Sequence, residues 1–229
     1  MRIITLLFSI VLISACSNSS TPEVSNTAKN IYANYYVRYL ESERMLKAEA
    51  TFYKGDNPES AQPLTLQKGL SLFGNNMSVR RIQNKISRYH YENLMDYPKD
   101  ASFPFKYNHA DSEAQTYTMS MSPVGKFEIK DCSISKGINL ELETALNSNE
   151  SFVVLFNDAN NRSVSLMVPF TENKSINIPL GAYKEILSKG KSELYLVKKQ
   201  KKEIEKDGNI ENKGLIEYYS KSVEVELTE

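Results

Sequence analysis

The chain has 229 residues, with 28 Lys and Arg balanced by 28 Asp and Glu, so it carries no net charge at neutral pH. A neutral chain argues against nucleic acid as a partner, because phosphate recognition rests on a basic surface. The length suits one large domain or two of about 100 residues, and 14 Tyr with no Trp suit pleated, half-buried surfaces better than an indole-based sugar platform.

In chain order, Arg2 comes first, ahead of an apolar run from Ile3 to Ile13 broken only by Thr5 and Ser9 and ending in Ile13-Ser14-Ala15-Cys16. A charged start, a short apolar stretch and small residues at the cut form a secretory signal. The stretch is too short for a transmembrane helix, which needs about 20 apolar residues. With cysteine at the cut, it resembles a bacterial lipoprotein signal. That resemblance implies that signal peptidase II removes residues 1–15 and that Cys16 becomes the acylated first residue, the one lipidation site. Two or more acyl chains, at about 0.8 kcal/mol per buried CH₂, anchor stably where one does not. The membrane contact is then the lipid on Cys16, and the expected location is the cell envelope, at the outer membrane. Residues 16–30 continue as SNSSTPEVSNTAKN after the cysteine. They are too polar to bury a core and read as a flexible tether with a span of roughly 20 Å.

From residue 31 the pattern is β. Tyr35–Leu40 fits helical as well as strand spacing, and its β-branched and aromatic residues favour the strand. Leu46, Ala48, Ala50 and Phe52 alternate with polar neighbours, as in a strand with one wet face, and Gly55-Asp56-Asn57-Pro58 ends it. Further strands are expected at 69–73, 86–91, 103–107 and 116–121. Pro123-Val124-Gly125 marks a boundary. After it come strands at 127–130, 138–141, 152–156, 164–168, 176–178, 194–197, 215–219 and 223–227. Phe152–Phe156 is continuously apolar and predicts a central strand covered on both faces, while Gly181–Leu187 predicts a short helical turn closed by Gly190. Short strands at regular spacing predict an all-β protein of two sandwiches, 31–125 and 126–229.

Several blocks carry a wider likeness: Val37-Arg38-Tyr39-Leu40-Glu41 with Leu46-Lys47-Ala48-Glu49-Ala50 and Lys54-Gly55-Asp56, the stretch from Glu150 to Asn160, and Leu194-Tyr195-Leu196-Val197-Lys198-Lys199-Gln200. In these the chain resembles a family of Gram-negative bacterial lipoproteins. The resemblance implies tandem immunoglobulin-like β-sandwich halves and no assigned activity.

Chemistry-bearing residues are sparse. With Cys16 lipidated, Cys132 is left without an intrachain partner; flanked by Asp131 and Ser133, with no nearby His, it reads as a packing residue. His90 lies in an alternating strand and His109 in a polar loop beside Asp111; these three are thin for zinc, and ordinary surface or edge histidines are the expectation. No nucleophile turn, dinucleotide fingerprint or phosphate loop occurs. Asn157-Asp158-Ala159-Asn160-Asn161 reads as a hairpin turn rather than a calcium loop, because one carboxylate is too few. Lys198–Lys202 is the densest basic run. Glu203, Glu205 and Asp207 cancel it, so a solvated hairpin end is expected rather than a headgroup-binding patch. No cofactor, metal or catalytic residue is expected. The function read from this is a non-catalytic binding or scaffolding module with an envelope protein or glycan as partner. The alternative is a glycan hydrolase on a β scaffold, which needs two carboxylates facing across a cleft.

Overall fold

A computed structural model describes residues 29–83, 85–107, 114–168 and 171–229. They are all-β. The first half supplies β1 (Asn30–Leu40), β2 (Met45–Gly55), β3 (Gln62–Leu64), β4 (Leu70–Leu72), β5 (Asn75–Asn76), β6 (Ser78–Ile82), β7 (Ile86–Leu94), β8 (Ser102–Tyr107) and β9 (Gln115–Ser120). The second supplies β10 (Phe127–Ser133), β11 (Gly137–Leu142), β12 (Glu150–Asn157), β13 (Ser163–Val168), β14 (Ser175–Ile178), β15 (Gly190–Asp207), β16 (Ile210–Tyr219) and β17 (Val223–Leu227). A single 3₁₀ turn, Gly181–Tyr183, stands where the helical turn is expected. Gly190, at φ 121°, opens β15 instead of closing that turn. No helix among the described residues is long and apolar enough to cross a membrane.

One ten-stranded sheet runs through both halves in the order β13-β12-β15-β16-β1-β2-β7-β6, with β3 on β2 and β17 on β15. The link is β1 against β16, paired in parallel from Ile31↔Ile210 to Leu40↔Tyr219. Two smaller sheets, β5-β4-β8-β9 and β10-β11-β14, complete the β architecture, and one contiguous buried core extends through both halves.

Alternation sets the two faces of the large sheet. In β1, Ile31, Ala33, Tyr35, Val37 and Tyr39 are buried, while Tyr36 and Arg38 face outward. Tyr35 packs its ring 4.8 Å from Phe105 and 4.7 Å from Tyr117, which ties β8 and β9 to β1. Its register partner is Gly214 on β16. A Cβ there would overlap Met119 Sδ, so glycine leaves room for the Met119 side chain of β9 in its present place. In β12, Phe152, Val154 and Phe156 are buried together. The other face covers Val153 and leaves Leu155 half-buried, so coverage on both faces is incomplete.

Candidate functional site

The richest arrangement of polar side chains crosses the outward face at the join between halves. Arg38 on β1, Glu217 on β16 and Lys199 on β15 are register neighbours, so their side chains stand in one row. Glu217 Oε2 accepts hydrogen bonds from the hydroxyls of Tyr36 at 2.6 Å and Tyr219 at 3.1 Å. Lys199 Nζ lies 2.9 Å from Oε1, and an Arg38 terminal nitrogen lies 3.5 Å from Oε2. Arg38 Nε also donates to the Tyr36 hydroxyl at 2.7 Å. The Arg38 guanidinium stands 5.1 and 5.5 Å from the ring centres of Tyr219 and Tyr36, within cation–π range. The row continues to Lys47 and Glu92, 3.7 Å apart.

The Glu217 side chain is only 7% exposed. Burial by itself would raise its pKa, but the donors Tyr36, Lys199 and Tyr219 outweigh it and hold the carboxyl below the usual range. Burial and the adjacent Glu217 carboxylate push the Tyr36 hydroxyl well above its ordinary value. The group is therefore a fixed anion among fixed donors.

His90 lies beside this row on β7. It is 8% exposed, since β7 runs between β2 and β6, which corrects the expectation of a surface or edge residue. Its Nδ1 is 3.7 Å from Glu49 Oε1 and its Nε2 is 3.4 Å from Glu92 Oε2, and neither ring nitrogen makes a hydrogen bond among the described residues. Cys16, His109 and Asp111 lie outside the described residues. Among the described residues, no group of three or more His, Cys, Asp or Glu is placed to hold a metal ion.

The basic run departs from expectation. Lys198–Lys202 lies within β15, and the turn that ends the strand is at Gly208-Asn209. Leu194, Leu196, Lys198 and Gln200 share the inward phase, so Lys198 and Gln200 are buried. Lys198 Nζ lies 2.9 Å from Glu150 Oε1. That oxygen accepts no well-directed hydrogen bond, whereas Oε2 accepts the Asn147 N–H at 2.9 Å. Nearby, the rings of Tyr39, Tyr97 and Tyr218 pack mutually at 5.1 to 5.4 Å. The Tyr97 hydroxyl is pushed up by burial first and by Glu150 second. The sequence signal for this pair was present, namely a lysine and a glutamine continuing the phase of two buried leucines.

Asp158 sits in the β12–β13 turn, as the hairpin expectation has it. Its carboxylate accepts the backbone N–H groups of Ser188 at 2.7 Å, Arg162 at 2.8 Å and Asn160 at 2.9 Å, and Arg162 Nε at 3.1 Å. Burial opposes ionisation there, and these donors overcome it, so the carboxyl stays below its ordinary pKa. Cys132 is buried in β10, where its carbonyl accepts the Thr228 N–H at 3.1 Å and so docks the end of the chain. Burial, then Asp131, pushes its thiol up to about 11, which makes it a poor nucleophile. No protein-family model matches the chain, and no curated protein is similar to it.

Proposed function

We propose that the chain is a lipid-anchored envelope protein of the outer membrane, with residues 1–15 removed, acyl chains on Cys16 and a tether to residue 30. Its folded part, read as two immunoglobulin-like sandwich halves, 31–125 and 126–229, acts as a non-catalytic binding or scaffolding module for an envelope protein or glycan. The observation that carries the non-catalytic reading is the state of Glu217. It is the most heavily engaged carboxylate on the outward face, yet its oxygens are taken up by Tyr36, Tyr219, Arg38 and Lys199, and its pKa is held down. A general acid for glycan cleavage needs a carboxyl held up in pKa and free to reach the substrate. A locked anion instead stiffens a face that others can bind.

The test is to incubate the detergent-solubilised full chain with envelope glycans, ester substrates and peptides. The expected result is no turnover. Sustained turnover of an envelope glycan that is lost in Glu217→Gln or Glu49→Gln would replace this reading with the glycan hydrolase.

A further inference from the structure

The edges of the large sheet are built differently. At one end, β6 carries Arg80 and Arg81, charges that discourage another strand from pairing. β3 carries Pro63 and β17 carries Glu224 and Glu226. At the other end, β13 reads Ser-Val-Ser-Leu-Met-Val over six residues, with no charge and no proline. Among the described residues it pairs only with β12. Its outer edge presents backbone N–H and C=O groups along a regular strand, and Met167 on its outward side is 78% exposed.

We propose that β13 pairs antiparallel with β13 of a second copy of this chain, extending the ten-stranded sheet across a twofold axis. Directly opposite residues of an antiparallel pair share a face, so the axis passes through Ser165 or Leu166. Such self-pairing needs a strand that does not repel itself, and an uncharged strand meets that condition where β6 and β17 do not. Backbone hydrogen bonds hold the pair, and the exposed Met167 side chains add apolar contact on the outward face.

This names one partner for the module proposed above and rests on its being a binding module. Cysteine crosslinking in cells producing the full chain tests it, and anchorage is read separately, so the two ideas can fail separately. Ser163, Ser165 and Met167 face outward from β13, so Cys at each leaves the core intact; Arg80→Cys on β6 is the control edge. Native Cys132 is buried and sets the background. On oxidation, Ser165→Cys, alone or mixed with Met167→Cys, is expected to give a disulfide dimer, and Arg80→Cys to stay at background. Adding Met167→Lys to Ser165→Cys is expected to lower the dimer several-fold through like charges across the axis. Monomer at every β13 position, or as much dimer from Arg80→Cys as from β13, overturns the proposal.

Discussion

Lys198 and Lys199 are neighbours in sequence, yet they occupy opposite electrostatic worlds. Lys199 faces outward, 36% exposed, and meets a carboxylate that also holds two tyrosine hydroxyls and an arginine. Lys198 faces inward, 7% exposed, and meets Glu150, 1% exposed, beside a cluster of tyrosine rings. A single step along β15 exchanges a many-membered network on the outward face for a lone ion pair buried on the inward face. Local composition cannot make that distinction; strand phase does.

The comparison predicts unequal penalties. Lys198→Met leaves Glu150 charged and buried without its partner, and is expected to cost about 3–5 kcal/mol in chemical denaturation. The double substitution Lys198→Met with Glu150→Leu removes both charges and is expected to recover most of that loss. A single-variant loss under about 1 kcal/mol would mean that the pair is not desolvated.

Glu217→Gln comes next. It removes the charge that four donors address and is expected to cost about 1.5–3 kcal/mol. The pH dependence sharpens it. Because the folded carboxyl titrates below its unfolded value, its contribution is full above the usual carboxylate range and fades as pH falls through and below that range. Denaturation of the parent chain and of Glu217→Gln from pH 7 down to 3 checks this: the gap between them is expected to narrow with acid, and a constant gap would refute the assignment.

Lys199→Ala is the smallest. A partly exposed lysine that shares its carboxylate with three other donors is expected to contribute only about 0.2–1 kcal/mol, and less at high salt. A loss as large as that of Lys198→Met would erase the distinction between the two faces.

Much of the fold could be read from alternation. β2 is signalled by Leu46, Ala48, Ala50 and Phe52, all buried in phase, and β12 by its apolar run. β6 escaped because its residues are nearly all exposed, so no inward phase marks it. β15 reads as a short strand because charge follows Val197, although the pairing continues to Asp207. The join of the halves was beyond local patterns altogether: Tyr36 reaches Glu217 across 181 positions, and nothing near either residue announces a parallel pairing. The outward network was illegible for the same reason, whereas Asp158 as a turn residue was visible from its Asn-rich neighbourhood.

Anchorage at the envelope rests on Cys16. Cells producing the full chain, labelled with a fatty-acid probe and separated into membrane and soluble fractions, provide the measurement. The prediction is that the parent chain carries the label and sediments with outer membranes, and that Cys16→Ser loses the label and leaves the membrane fraction. An unlabelled Cys16→Ser chain that stays in the membrane fraction as fully as the parent would contradict anchorage by lipid.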